Sequence, residues 1–181
     1  MNFIEIYDGA LSSKECEILI KYFEKSHQVR GRTSMGYKPE EKNCLQIEDT
    51  KFSDGKQSSC ILHSVIKNYL SKYSNKYEAV DQCIGWWEPS DEYNIQKYET
   101  VEDGYKVWHC EQNKGSDRTL AWMFYLNDAK SGTEFMYYPN IRAKMGRCAI
   151  WPSGWTHVHR GAPNKGLKYI VTGWASYIRT Y

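Results

Sequence analysis

The sequence predicts an α+β fold that is mainly β, a barrel or jelly roll against which N-terminal helices pack. Two amphipathic helices are predicted before residue 80, whereas after Gly85 short aromatic and β-branched segments alternate with clusters of turn residues. The chain has 15 Tyr and 7 Trp, which favour strands and lie mostly in its C-terminal two-thirds. Its 181 residues suffice for one hydrophobic core. We therefore expect one domain over residues 1–181, with a helical part at about 1–80 and a β core at about 81–181.

The first helix is predicted from Ser12 in the segment SSKECEILIKYFEK. Ser12 and Glu15 have the spacing of a capping box, and apolar residues follow at helical spacing at Cys16, Leu19, Ile20 and Phe23. The next segment, HQVRGRTSMGYKPEEK, has no periodicity and is expected to be a loop or a long hairpin. A second helix is predicted over residues 58–73, with one apolar face at Leu62, Val65, Ile66, Tyr69 and Tyr73.

Six strands are predicted in the C-terminal part. Their segments are YNIQKY, YKVWHCEQ, TLAWMFYL, TEFMYY, RCAIW and KYIVTGWASY, separated by turns such as VEDG, NKGSD and NDAKSG. Closely spaced strands that follow two helices favour a layered α+β arrangement over a bundle.

The basic and acidic residues nearly balance, so the chain has no strong overall electrostatic field that would attract a charged partner. There are 24 basic and 22 acidic residues, so we expect neither nucleic acid nor a membrane as a partner. The chain begins without a basic and then apolar leader, and its six cysteines are scattered without a C-x-x-C pair. These features favour a soluble, cytoplasmic protein with reduced thiols. The alternative to fully reduced thiols is one or two disulfides.

Two short patterns carry candidate chemistry. In YKVWHCEQ, a strand would put His109 and Glu111 on the same face, where an imidazole and a carboxylate suit a divalent metal that takes its second histidine from elsewhere. A pair of solvated polar residues is the more common meaning of an isolated H-x-E. In KYIVTGWASY, alternation puts Lys168, Thr172 and Trp174 on one face, and a buried lysine there requires an anion.

Together these patterns resemble the Fe(II)- and 2-oxoglutarate-dependent dioxygenases, in particular their prolyl 4-hydroxylase-like branch. The similarity runs from LSSKEC through QKYETVEDGYKVWHCE, RTLAWMFYLND and SGTEF to GRCAIWPSGWTHVHRGAPNKGLKYIVTGW. It implies a double-stranded β-helix, the jelly roll of this family, with the N-terminal helices packed against it. The family order is H-x-D or H-x-E, a distal histidine and then a basic residue. His109, Glu111, His159 and Lys168 occupy these places.

The resemblance also separates two neighbouring histidines. Strand alternation would aim His157 and His159 at the same face, so periodicity leaves the choice open. In relatives a proline follows the distal ligand by four residues, and Pro163 has that spacing from His159. The resemblance therefore implies His159 as the ligand and His157 as a neighbour of the metal or substrate.

The remaining roles are likewise implied by the resemblance. Lys168 and the hydroxyl of Tyr125 would hold the distal carboxylate of 2-oxoglutarate, and Tyr98 would reach its metal-proximal end. Thr172 and Trp174 would line the same pocket. Fe(II), 2-oxoglutarate and O2 are the implied cofactors, with ascorbate as an optional reductant. Glu111 departs from the usual aspartate, and its extra methylene must be accommodated.

The implied reaction is hydroxylation of a prolyl or other residue in a peptide or protein, with succinate and CO2 as co-products. A carboxylate ligand leaves no place for a halide, which disfavours halogenation. Residues 28–44, with Arg30, Arg32, Tyr37 and Lys38, are the candidate lid. The alternatives are a hydroxylase of small molecules, a non-catalytic jelly-roll module and a zinc hydrolase. A buried Lys168 disfavours the hydrolase, and the H-x-E pair disfavours the binding module.

Overall fold

The computed structural model describes residues 1–33, 35–48, 50–112 and 115–178, without the side chains of residues 83 and 84. Its helices are α1 (Ser13–Lys25), α2 (Gln57–Lys76) and α3 (Ala79–Ile84), with short 3-10 helices at Phe52–Asp54 and Trp155–His157. Its strands are β1 (Glu5–Tyr7), β2 (Val29–Arg30), β3 (Lys42–Asn43), β4 (Leu45–Gln46), β5 (Trp87–Tyr98), β6 (Gly104–Tyr105), β7 (Arg118–Tyr125), β8 (Thr133–Phe135), β9 (Cys148–Pro152), β10 (His159–Gly161) and β11 (Lys168–Tyr177).

Seven antiparallel strands form the large sheet, in the order β1-β9-β7-β11-β5-β4-β2. Strands β10 and β8 pair separately, as do β3 and β6. The predicted fold class is confirmed: the protein is mainly β with the jelly-roll architecture, and the described strands form no closed barrel. The segment before residue 80 also contributes strands, because β1, β2 and β4 belong to the large sheet.

Both predicted helices are present. The side chain of Ser12 accepts from the N–H of Glu15 and the Glu15 side chain accepts from the N–H of Ser12, which satisfies N-terminal donors that a helix leaves free. The α1 residues Cys16, Leu19 and Phe23 are buried against the sheet together with the apolar face of α2. Packing of this face, rather than helix propensity, provides most of the stability of such helices.

Alternation along the central strands gives the large sheet two buried faces. Leu120, Trp122 and Phe124 of β7 pack in the core that contains α1 and α2. Ala121, Met123 and Tyr125 pack in a second core with residues of β8 and β9. Strand β11 follows the same rule, so its residues 168, 170, 172 and 174 lie on the face away from the helices, as the alternation predicted.

One of the six predicted strands is wrong. The segment YKVWHCEQ contains only the last residue of β6 and an isolated bridge at His109. Its backbone donors go to separate partners: Lys106 N–H to the carbonyl of Glu41, His109 N–H to that of His159, and Glu111 N–H to that of Ser153. A segment that bonds to three different parts of the chain cannot form one ladder, although its composition is typical of a strand.

The segment HQVRGRTSMGYKPEEK, predicted to be a loop or a long hairpin, contains β2 and leads to β4, with which β2 pairs at Val29↔Gln46 and Arg30↔Leu45. Within the candidate lid, residue 34 lies outside the described residues, and Arg32 lines the cleft described below. The described thiols Cys16, Cys44, Cys60, Cys110 and Cys148 are all free, as expected for reduced cysteines. Among the described residues, no helix combines the length and the apolar character that a membrane span requires.

Candidate active site

The two predicted histidine ligands are brought together by backbone hydrogen bonds. His159 begins β10, and it exchanges both N–H to carbonyl bonds with His109, at 3.0 and 2.9 Å. The two imidazole rings lie 4.5 Å apart, and the ring of Tyr105 stacks on His109 at 3.8 Å. Two segments that are distant in the sequence thus present their imidazoles side by side.

The hydrogen bonds of the rings define which nitrogen is free. The Nδ1 of His109 lies 3.0 Å from the carbonyl oxygen of Val107, and the Nδ1 of His159 lies 2.9 Å from that of His157. A carbonyl only accepts, so each Nδ1 carries the proton and each Nε2 keeps a lone pair. This is the arrangement of histidines that bind metals through Nε2.

The carboxylate of Glu111 completes the group. Its Oε1 lies 3.6 Å from Nε2 of His109 and 3.3 Å from Nε2 of His159. Ligand atoms of the three residues lie within 4.8 Å of one another. Three acceptor atoms converge with no donor between them, so a cation fits this position, and the donor set of two imidazoles and one carboxylate suits Fe(II).

The second oxygen of Glu111 is held by two other side chains. Trp174 donates its indole N–H to Oε2 at 2.8 Å, and a guanidinium N–H of Arg118 donates to the same oxygen at 3.4 Å. The Arg118 guanidinium also lies 3.5 Å from the centre of the Trp174 ring. These contacts leave Oε1 directed at the histidines and accommodate the longer side chain of glutamate.

The electrostatics keep Glu111 ionised. Burial raises the pKa of its carboxyl, but the adjacent imidazoles of His109 and His159 outweigh burial and hold the pKa well below its usual range. Burial lowers the pKa of Arg118, which the charge of Glu111 partly offsets. The carboxylate is therefore available as an anionic ligand near neutral pH.

A cleft of about 720 Å³ contains this group and the other predicted site residues. Lys168 is 3 % exposed, donates to the hydroxyl of Ser131 at 3.2 Å and lies 4.9 Å from the ring centre of Tyr98. Burial lowers the pKa of Lys168 to about 8. No carboxylate of the described chain lies within ion-pair distance of its ammonium, so an anion from outside the chain fits here.

The remaining predicted residues also line the cleft. The hydroxyl of Tyr125 shares a hydrogen bond of 2.6 Å with Thr133, and that of Tyr98 donates to Gln96 at 2.7 Å. Burial raises the pKa of both tyrosines, so they stay neutral. Thr172 and Trp174 lie on the same wall, contributed by β11.

His157 is separated from this group. It ends the 3-10 helix Trp155–His157 rather than lying in a strand, its Nε2 bonds the carbonyl of Asn2 at 2.8 Å, and its ring stacks on Tyr138 at 4.9 Å. The helical turn breaks the alternation that would aim His157 and His159 at one face. His157 does not line the cleft.

Sequence reasoning missed three residues that line this site: Arg118, Tyr105 and Lys42. Arg118 and Tyr105 contact Glu111 and His109 across turns, which no local pattern reveals. Lys42 was inside a segment without periodicity. A buried lysine in a polar loop carries no distinguishing signal in the sequence.

Comparison with known proteins agrees with the fold. Residues 93–176 match the family model of the 2OG-Fe(II) oxygenase superfamily. The matched segment, which contains His109, Glu111 and His159, is a 2OG-Fe(II) oxygenase domain, and the cofactors of this class are Fe(II), 2-oxoglutarate and O2. Within the class its fold is prolyl 4-hydroxylase-like. No curated protein sequence matches the chain.

Three solved structures illustrate the likeness. A viral collagen prolyl hydroxylase from Paramecium bursaria Chlorella virus-1, in complex with 2OG, is 21 % identical, with a TM-score of 0.72 over 98 % of this chain and 97 % of that one. A prolyl hydroxylase from Trichoplax adhaerens, in complex with a hypoxia inducible factor peptide, is 16 % identical, with a TM-score of 0.72 over 97 % and 84 % of the chains. The α-ketoglutarate dependent epimerase SnoN of nogalamycin biosynthesis is 12 % identical, with a TM-score of 0.64 over 96 % and 77 %.

Proposed function

We propose that His109, Glu111 and His159 hold Fe(II), and that the protein hydroxylates a prolyl or other residue in a peptide or protein. The observation that carries this proposal is the convergence of three acceptor atoms, within 4.8 Å of one another, in a cleft that also contains the buried Lys168. Bound Fe(II) and 2-oxoglutarate would supply the activation of O2, with succinate and CO2 as co-products. The site residues would lie within one domain over residues 1–181.

The protein's own residues have distinct tasks in this proposal. The Nδ1 hydrogen bonds of His109 and His159 aim both Nε2 lone pairs at one point, and Trp174 and Arg118 fix the carboxylate of Glu111. Lys168 pairs with the distal carboxylate of 2-oxoglutarate, because a buried ammonium and a carboxylate stabilise each other. The hydroxyl of Tyr125 adds a hydrogen bond to the same group.

Tyr98, Thr172 and Trp174 would line the rest of the cosubstrate pocket. The Tyr98 ring covers the ammonium of Lys168 at 4.9 Å, which limits access of water to that charge. Tyr98 would contact the metal-proximal end of 2-oxoglutarate after its hydroxyl releases Gln96. The lid, residues 28–44, would close over the cleft and exclude water from it.

A peptide substrate is supported by the two prolyl hydroxylases of similar fold, one of which is described in complex with a peptide. The similar fold of SnoN supports a small molecule as the alternative substrate. The free thiols of the described cysteines support a reducing, cytoplasmic setting.

The first experiment tests the metal and cosubstrate site without a substrate. Anaerobic addition of Fe(II) and 2-oxoglutarate should produce a weak visible charge-transfer band in the wild type. The variant His159→Ala should lose the band, and His157→Ala, the matched control, should keep it. Absence of both the band and succinate release from the wild type would refute the proposed function and favour a binding module or a zinc hydrolase.

The second experiment identifies the substrate class. A library of proline-containing peptides and a fraction of small metabolites are incubated separately with the loaded protein, with and without ascorbate. Mass spectrometry should find the mass of one added oxygen atom on a peptide. Added oxygen found only in the small-molecule fraction would contradict the peptide hypothesis and favour a hydroxylase of small molecules.

A further inference from the structure

A second buried lysine lies in the same cleft and has no anionic partner in the described chain. Lys42 begins β3 and is 6 % exposed. Its ammonium donates to the backbone carbonyl of Arg32 and to the side-chain oxygen of Gln46, each at 3.1 Å. Both acceptors are neutral, and they use two of the three N–H groups that an ammonium offers.

The position of Lys42 costs free energy that its partners do not offset. No carboxylate of the described residues lies within ion-pair distance of its ammonium. Burial lowers the pKa of Lys42, and the charge of Glu111 partly offsets this effect. A buried ammonium with neutral partners is stabilised most by an anion that completes its contacts.

Of the other basic side chains that line the cleft, Arg32 is exposed and the rest are already assigned. Arg118 contacts Glu111, Arg160 is paired with Glu134 at 2.8 Å, and Lys168 has the role of cosubstrate partner. Lys42 is therefore the buried cation of the cleft whose anion is unaccounted for among the described residues.

Lys42 also lies close to the candidate metal ligands. Its ammonium is 5.5 Å from the centre of the Tyr105 ring, and that ring stacks on His109 at 3.8 Å. Strand β3 pairs with β6 outside the large sheet, whereas Lys168 belongs to the large sheet. The two lysines thus enter the cleft from different sheets.

We propose that Lys42, oriented by Gln46, is an anion subsite that binds a carboxylate of the substrate. The proposal rests on the proposed function, because it assigns the substrate to the same cleft. It narrows the substrate to molecules with a carboxylate near the reacting carbon. That group is the side chain of an acidic residue in a peptide, or the acid group of a free small molecule.

The test measures binding rather than turnover. The protein is loaded with Mn(II) and saturating 2-oxoglutarate, and matched probes are titrated by calorimetry. One pair is a proline-containing peptide with aspartate or asparagine beside the proline, and the other pair is N-acetylaspartate and N-acetylasparagine. The wild type should bind the acidic member of at least one pair about tenfold more tightly, as for a hydrogen bond to a charged group.

Lys42→Met should abolish this preference, and Lys67→Met, an exposed control on α2, should retain it. The preference is the ratio of two affinities measured on the same variant. An unfolded fraction of the protein affects both titrations equally and leaves this ratio unchanged. Retained 2-oxoglutarate binding by Lys42→Met shows that the variant is folded.

Three results would overturn the subsite: no acidic preference in the wild type, the same preference in Lys42→Met, or loss of 2-oxoglutarate binding in Lys42→Met equal to that in Lys168→Met. If Lys42→Met does not fold, absence of an acidic preference in the wild type still refutes the subsite. Because the titration needs no turnover, the preference for acidic probes can be interpreted even if the proposed hydroxylation does not occur. The pair of probes that shows the preference distinguishes a peptide from a free acid.

Discussion

Replacing Lys168 by methionine should stabilise the protein while removing its affinity for 2-oxoglutarate. The ammonium of Lys168 is 3 % exposed and has a neutral hydrogen-bond partner in Ser131, at 3.2 Å. Methionine has a similar length, carries no charge and adapts to irregular cavities. In the absence of an anion, the substitution therefore removes a buried charge without opening a cavity.

The magnitude follows from the pKa of Lys168. Burial lowers this pKa to about 8 from an ordinary value of about 10.4, and each pKa unit corresponds to about 1.4 kcal/mol. The charged form is thus penalised by up to about 3 kcal/mol in the folded state. Below pH 8 the lysine is charged in both the folded and the unfolded states, so the full penalty applies. Between about pH 8 and 10.4 the unfolded state binds more protons, so stability rises with pH.

Urea unfolding at pH 7, with and without 2-oxoglutarate, measures both effects. Without the ligand, Lys168→Met should have a higher free energy of unfolding than the wild type. With the ligand, only the wild type should gain stability, and its affinity should fall as the pH rises above about 8, where Lys168 loses its proton. Lys165→Met, an exposed control on the preceding turn, should change neither quantity. A Lys168→Met variant that is destabilised without ligand, or that binds 2-oxoglutarate as tightly as the wild type, would refute the reasoning.

Three further substitutions test other contacts. Trp174→Phe removes the indole N–H from Glu111 and should weaken Mn(II) binding by about 10- to 100-fold in a competition titration, and unchanged affinity would exclude a positioning role. His157→Phe should keep wild-type Mn(II) affinity while lowering stability by about 1 kcal/mol through the lost hydrogen bond, whereas loss of metal would reverse the choice of histidine. Gly173→Ala puts a methyl group against the ring of Trp122 and should lower stability by about 1 to 3 kcal/mol in thermal unfolding, and a neutral effect would mean that the ring can shift.

Local sequence patterns predicted the elements whose structure depends on near neighbours. The capping box of Ser12 and Glu15 marked the start of α1, because both partners lie in one turn. Strand β11 was predicted with its bounds and its inward face, because alternation continues along its whole length between two strand neighbours.

The parts of the site that depend on tertiary contacts could not be predicted in this way. The segment around His109 has the composition of a strand, but its donors bond to three separate parts of the chain. The contacts of Glu111 with Trp174 and Arg118 join residues whose spacing follows no helical or strand period. Lys42 lies in a segment of polar composition, where burial is decided by the strands packed around it.

The backbone exchange between His109 and His159 has a consequence for the lifetime of the metal site. Both hydrogen bonds use main-chain atoms, so the separation of the two imidazoles is set when the strands assemble and does not depend on an ion. Little conformational entropy is then lost when the metal binds, which favours fast loading and selection among divalent ions by donor chemistry rather than by induced folding. Repeated cycles of metal removal by a chelator and reloading should therefore leave the fold intact.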